Sequence, residues 1–339
     1  MIDLNTVWFL LVGILITGYA VLDGFDLGVG VLHLFAHNDN ERRINMNAIG
    51  PIWDGNEVWL LTGGGALFAA FPIVYATVFS AFYLAFMLLL TALIFRAVSM
   101  EFRGKVASLK WQRLWDWSFG LGSLFPAILF GVAIGDILRG IPIDKSGVFT
   151  GSFLGLLNPY ALLIGILSLA MFTMHGAVYM TLKTEGKLRE RMQGWVSNAW
   201  IAFVILYFLA TLVTLFVSPF LFAGLLNNPL FWILFLVLLA SILYIPMATK
   251  AGECFRAFLA SSLTIACIIG LIGVSLFPML VPSSTDLAYS LTIYNASSTS
   301  RTLTVMLIIA LIGMPFVIGY TMYIYRVFKG KVIISEESY

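Results

Sequence analysis

Charge is scarce in this chain. Only 11% of its 339 residues are Asp, Glu, Lys or Arg, whereas 60% are hydrophobic. Soluble domains carry about a quarter charged residues, so the composition excludes a water-soluble fold. Cysteine is nearly absent too: Cys254 and Cys267 fall in or beside one apolar stretch, with neither a disulfide framework nor metal-ligand spacing, and read as small apolar packers. There are three histidines, and no HExxH, Cys-x-x-Cys-His, Walker loop or dinucleotide fingerprint. The chain alone therefore offers no redox or hydrolytic chemistry, and no catalytic residue or metal site is assigned to it. A net charge of +2 argues against a nucleic-acid partner. No basic residue precedes Arg42, and Asp3 stands ahead of the first apolar stretch. A cleavable secretory signal would start positive, so that stretch reads as a permanent helix.

What is abundant is long apolar sequence. A span needs roughly 20 mostly apolar residues, and nine stretches qualify: 6–33, 54–76, 79–100, 115–138, 157–181, 196–219, 229–249, 257–280 and 302–326. Helices are expected throughout, because a backbone in lipid must satisfy its polar groups within its own segment. The gaps leave no room for a soluble module, so residues 1–339 read as a single transmembrane domain.

The basic residues set the orientation. Of the 19, Arg42 and Arg43 follow the first stretch, and Arg96, Arg103, Lys105, Lys110 and Arg113 follow the third. Lys183, Lys187, Arg189 and Arg191 follow the fifth, Lys250 and Arg256 the seventh, and Arg326, Lys329 and Lys331 the last. Arg139, Lys145 and Arg301 are left for the other side. Lys and Arg gather in cytoplasmic loops, so the N-terminus is expected outside and the C-terminus in the cytoplasm. The opposite loops carry breakers such as Phe71-Pro72, Asn158-Pro159 and Asn228-Pro229.

Charges within membrane segments are costly and point to function. Asp23 and Asp26, three apart, share one face of the first helix, and Gly24 and Gly28 give that helix a small-xxx-small face for close packing. Asp54 and Glu57 share a face at the cytoplasmic start of the second helix, where Gly63, Gly64 and Gly65 thin it for a neighbour. Arg96 ends the third on the same side. Four carboxylates and an arginine thus converge on one cytoplasmic-side corner, as a proton entry route would require. Two alternatives stand beside this. Acids at a helix N-terminus complement its dipole, which suits Asp54 and Glu57 and leaves a pure scaffold. Clustered carboxylates would also serve a secondary transporter, although transporter sites usually lie at the midplane, where charges are lacking here. Trp53 and Trp59, with Trp111, Trp115 and Trp117 around Asp116, read as interfacial anchors. His33 and His37 read as solvated or interfacial, and His175 as a packing or hydrogen-bonding residue.

These residues resemble subunit II of the cytochrome bd quinol oxidases. The resemblance is carried by Ala20-Val21-Leu22-Asp23-Gly24-Phe25-Asp26-Leu27-Gly28-Val29-Gly30, by Trp53-Asp54-Gly55-Asn56-Glu57-Val58-Trp59-Leu60, by Gly64 through Pro72, and by Phe95-Arg96, Trp115-Asp116-Trp117 and Phe277-Pro278. It runs essentially end to end. It implies an all-α polytopic fold of nine transmembrane helices, two four-helix bundles plus one, in a bacterial or archaeal cytoplasmic membrane. It also implies a heterodimer with subunit I, which holds two haem b and one haem d and oxidises ubiquinol or menaquinol while dioxygen is reduced to water. No cofactor is then ligated by this chain, which would be inactive alone; some members hold a structural quinone or small single-helix accessory subunits, with lipid around them. Asp26, Asp54 and Arg96 match family positions linked to proton uptake, while Asp23 and Glu57 are added on spacing. The hydrophilic insertion of longer relatives between the sixth and seventh helices is missing here.

Overall fold

The computed structural model describes residues 3–334, and the apolar stretches in it are helical. In chain order they are α1 (Leu4–His33), α2 (Asp39–Ile49), α3 (Trp53–Ala70), α4 (Pro72–Ala81), α5 (Tyr83–Phe102) and α6 (Leu109–Arg139). Then follow α7 (Phe153–Leu156), α8 (Pro159–Lys183), α9 (Gly186–Val217), α10 (Pro229–Lys250), α11 (Cys254–Leu276) and α12 (Ser300–Val327). Eight of these, α1, α5, α6 and α8 to α12, are long and apolar enough to cross a membrane.

The stretches expected at 54–76 and 79–100 are divided differently. The helix stops at Ala70, restarts at Pro72 and breaks again at Phe82. Proline lacks an N–H and drives the residue before it out of the helical region. Phe71 accordingly sits at φ −133° and ψ 66°, while Pro72 takes the first helical position, which it tolerates. α3 is 18 residues long. With Asp54, Asn56 and Glu57 in its opening turns, it is less apolar than the eight.

Two helices form the centre. Every residue of α1 from Asp23 to His33 is buried, as is every residue of α8 from Met171 to Thr181. They can lie that close because glycines face each other. A Cβ on Gly28 would overlap the carbonyl oxygen of Phe172, and one on Gly176 would come within 2.6 Å of the Val29 nitrogen. Gly24 accommodates the Phe172 ring, 2.7 Å from where its Cβ would be. The small-residue face expected on α1 is therefore the seat of α8. Of the three glycines of α3, Gly63 faces Leu15 of α1 at 3.7 Å, while Gly64 and Gly65 meet no other helix of this chain.

Local sequence explains the helix starts. Asn158 and Asn228 each precede a proline at the first helical position, and their Oδ1 atoms accept from Ala161 N and Leu230 N, both at 3.0 Å. Such caps satisfy amides that the first turn leaves unbonded. Between α11 and α12 a short antiparallel ribbon pairs β1 (Met279–Val281) with β2 (Leu291–Thr292). This segment folds down on the chain itself: Ser298 N donates to Ala70 O at 2.8 Å, and in the first turn of α12 just beyond it Leu303 O accepts from Trp8 Nε1 at 3.0 Å. Ile141, Ile143, Val281 and Ile293 are buried there beside Phe71 and Trp8.

Candidate functional site

The site begins with α1, whose buried stretch carries two acids on one face. Asp23, Asp26 and Arg96 are each completely sealed from solvent. The Arg96 guanidinium, from α5, grips Asp23 with two bonds, Nη2 to Oδ1 at 2.6 Å and Nη1 to Oδ2 at 3.1 Å. Asp26 is held less firmly, with Arg96 Nη2 3.9 Å from its Oδ2. Its hydrogen-bond donor is Asn56 of α3, whose Nδ2 lies 2.8 Å from the same oxygen. The other oxygen, Oδ1, is buried without a partner, as is Arg96 Nε.

Counting charge shows what this geometry can do. One guanidinium neutralises one carboxylate, and the bidentate pair uses it on Asp23. A buried charge without a partner costs several kcal/mol. Asp26 is thus the acid that can take a proton without breaking the clamp. Glu57, the residue after Asn56 in α3, is half-buried and close enough to interact electrostatically with Arg96, Asp23 and Asp54. Asp54 is exposed. The expected convergence is therefore graded: Asp23, Asp26 and Arg96 in contact, Glu57 at the edge, Asp54 outside.

The tryptophans divide. Trp117 is 61% exposed, and Trp111 Nε1 donates to Phe102 O at 2.7 Å. Trp53 packs against the core. Trp59 packs inward: its ring lies on Gly18, which has no Cβ to push it away, and its indole N–H is buried without an acceptor. Trp115 Nε1 is likewise buried and unpaired, its ring between Phe102 and Trp111.

A second polar cluster lies among these rings, where the tryptophan pattern conceals it in the sequence. Asp116 of the Trp-Asp-Trp run is buried and accepts from Arg103 Nε at 2.6 Å, with His33 Nε2 at 2.9 Å and Arg42 Nη1 at 3.4 Å. Arg103 also reaches Asp39 at 2.5 Å. His33, read from the sequence as solvated or interfacial, is 1% exposed because Asp116 and the Phe119 ring enclose it. His175 is as expected, bonded through Nδ1 to Ser261 Oγ at 2.7 Å and through Nε2 to Val21 O at 3.0 Å. Asp136 of α6 is buried as well, accepting from Asn158 Nδ2 at 2.7 Å.

Outside the spans, Glu41 of α2 ties that helix to α9. Burial works against its charge, but Arg191 Nη2 at 2.5 Å and the His37 amide at 2.7 Å outweigh it and hold the carboxyl below its ordinary value. A depressed carboxylate stabilises the fold above its unfolded pKa, and that stability is lost as pH falls through the folded value. Thermal stability should therefore decline between about pH 6 and about pH 3, and Glu41→Gln should flatten part of that slope. An unchanged slope in the variant would show that the pair contributes nothing.

Fold and site together define a class: a polytopic helical membrane protein that keeps ionisable groups inside its own bundle. The family profile described as "Cytochrome bd terminal oxidase subunit II" matches residues 4–328. The chain is 37% identical to "Cytochrome bd-I ubiquinol oxidase subunit 2" of Escherichia coli strain K12, over 97% of this chain and 95% of that protein. It is 40% identical to "Cytochrome bd ubiquinol oxidase subunit 2" of Bacillus subtilis strain 168, over 99% of each. The solved "structure of bd oxidase from Geobacillus thermodenitrificans" contains a similar fold, with TM-score 0.74 at 18% identity, over 96% of this chain and 99% of that one.

The chain belongs to the cytochrome bd terminal oxidase subunit II family. It is a subunit of a bd-type quinol oxidase, multi-pass in the bacterial cytoplasmic membrane, and a subunit II implies a subunit I partner. The family also implies haems in the complex. His175 and His33 of this chain do not fit their axial ligation: both ring nitrogens of His175 are engaged, and His33 is enclosed by Asp116 and Phe119.

Proposed function

We propose that this subunit supports a haem-bearing subunit I and conducts protons from the cytoplasm towards the site of dioxygen reduction. The route passes from Asp54 by Glu57 to Asp26, beside the Asp23–Arg96 clamp. The supporting observation is the unequal pairing of two sealed acids: Arg96 is bonded to Asp23, while Asp26 keeps one oxygen without a partner. Carboxylate chains relay protons within membranes, and the falling exposure from Asp54 through Glu57 to Asp26 orders the chain. Asp23 and Arg96 themselves fit the scaffold reading, since their bidentate pair engages both Asp23 oxygens.

The same contacts support nine crossings in one membrane domain. Asp23 and Arg96 meet although each lies in the C-terminal part of its helix, so α1 and α5 run in the same direction. The chain must return between them, and Asn56 at the start of α3 meets Asp26 near the end of α1. α3, continued by α4, is then the ninth crossing, with the N-terminus outside and the basic loops in the cytoplasm. Two four-helix bundles and one further helix follow, beside a subunit I holding haems b and d. The quinol, any structural quinone, accessory helices and lipid contacts belong to that assembly, and the isolated chain is inactive.

Asp26→Asn in the assembled oxidase tests the route. The haem absorption spectrum should stay at wild-type intensity while quinol-driven oxygen consumption falls by about tenfold or more, as for loss of a proton-transferring group. Asp54→Asn, at the exposed entry, should slow turnover less. Loss of haem in proportion to activity would instead support a scaffold, and an Asp26→Asn enzyme with full turnover would sink the conduit.

A further inference from the structure

The acid cluster has a neighbour that the proton route leaves unused. Tyr325 lies near the end of α12, and its hydroxyl donates to Asn56 Oδ1 at 2.8 Å. Asn56 in turn donates through Nδ2 to Asp26 Oδ2, also at 2.8 Å. α12 is otherwise almost bare, with Leu303 as its single buried residue. Its cytoplasmic end is nonetheless pinned to α8. Lys331 Nζ reaches the carbonyls of Thr181 and Thr184 at 3.3 and 2.9 Å, and Val332 N donates to Lys183 O at 2.9 Å. Lys183 Nζ returns a bond to Phe328 O at 2.7 Å. The tail, more than the helix packing, fixes where Tyr325 stands.

A carboxamide has two chemically different ends. With its NH2 towards Asp26, Asn56 supports a carboxylate. Turned over, it would offer a carbonyl oxygen that repels a carboxylate but accepts from a carboxylic acid. The shape of Asn56 does not select between these; its second partner does. The Tyr325 hydroxyl donates to Asn56 Oδ1; against a turned amide its oxygen could accept an N–H, but its own hydrogen would lose that acceptor, and this loss favours the orientation with the N–H on Asp26.

We propose that Tyr325 is a positioning residue for proton transfer: its hydroxyl holds the Asn56 amide with the N–H on Asp26, so that Asp26 can give its proton up. The inference rests on reading Asp26 as the proton carrier. The groups facing Asp26 are Asp23 on its own helix, Asn56 and Glu57 from α3, Arg96 from α5, Tyr179 from α8 and Tyr325 from α12. Most are already committed. Arg96 is clamped on Asp23, and the Tyr179 hydroxyl donates to Ala48 O at 2.9 Å. Asn56 is thus the adjustable neighbour, and Tyr325 its control. The transferred proton comes from the cytoplasmic side and leaves Asp26 towards the oxygen-reducing centre, while Asn56 and Tyr325 keep their own hydrogens throughout.

The test compares Tyr325→Phe, Asn56→Ala and the double variant in the assembled oxidase, reading quinol-driven oxygen consumption across pH with the haem spectrum as assembly control. Tyr325→Phe should keep haem content and quinol KM and lower kcat roughly three- to tenfold, the equivalent of one hydrogen bond. Its pH–rate profile should move upward by about half to one unit, because Asp26 then parts with its proton less readily. The double variant should be no slower than Asn56→Ala, since the hydroxyl acts through the amide. A Tyr325→Phe enzyme with wild-type kcat and profile would overturn the proposal, as would losses that multiply in the double variant or loss of haem in Tyr325→Phe. Asp26→Asn separates the two levels. If it turns over normally, the proton route itself falls; if it is slow while Tyr325→Phe is unaffected, only the role of Tyr325 falls.

Discussion

Arg96→Leu is expected to remove the oxidase from the membrane fraction. The substitution strips both Asp23 oxygens of their donors and leaves Asp26 with Asn56 alone, in a site with no exposed surface. Breaking a buried pair from one side costs about 3–5 kcal/mol, a large part of a typical stability of about 5–15 kcal/mol. Arg96→Lys should be intermediate, because an ammonium supplies the charge but not the two-pronged geometry that Asp23 engages. Removing both charges, as Asp23→Leu with Arg96→Leu, should be milder than Arg96→Leu alone, since no unpaired carboxylate remains at position 23. Haem content per amount of membrane protein measures all three. Wild-type haem levels in Arg96→Leu would show that the clamp does not hold the fold.

Gly28→Val should be nearly as damaging, for steric reasons. The first added carbon would occupy the place of the Phe172 carbonyl oxygen, a backbone atom that cannot rotate away. Overpacking of this kind costs about 1–3 kcal/mol, occasionally more. Here it also separates α1 from α8 along the segment where both are wholly buried. Gly13→Ala, in the same helix but with open space at its Cβ, is the control. It should match wild type or gain slightly, as Gly-to-Ala changes in helices do. Equal yields of Gly28→Val and Gly13→Ala would refute the close-contact account.

Much of this is legible in the sequence, for identifiable reasons. Apolar length marks a membrane helix almost by itself, and the spacing of Asp23, Asp26, Gly24 and Gly28 shows which faces carry charge and contact. Arg96 is legible because an arginine at the end of an apolar run needs a partner. What escapes the sequence does so for a different reason. Phe71-Pro72 is visible as a breaker, but a proline at a helix start looks like one inside a continuous span until the backbone is seen. Asp116 lies among tryptophans and loop arginines, a pattern that suits an interface equally well. The orphaned indole of Trp59 depends on a glycine, Gly18, in another helix. The bond between Asn56 and Tyr325 leaves no local signal, since it joins two neutral residues 269 positions apart. The signal available for Asp116 is its isolation: a lone acid flanked by Lys110, Arg113 and the basic loop before them.

The separation in sequence of the clamped pair has a consequence for biogenesis. Asp23 leaves the ribosome 73 residues before Arg96, which at roughly 5–20 residues per second is about 4–15 s of translation. For that interval the leading segment carries two acids with no counter-ion, and the glycine-lined seat it needs on α8 is later still. The nascent first segment must therefore wait at the insertion machinery or near the headgroups, and it settles at its final depth only as its later partners are threaded in.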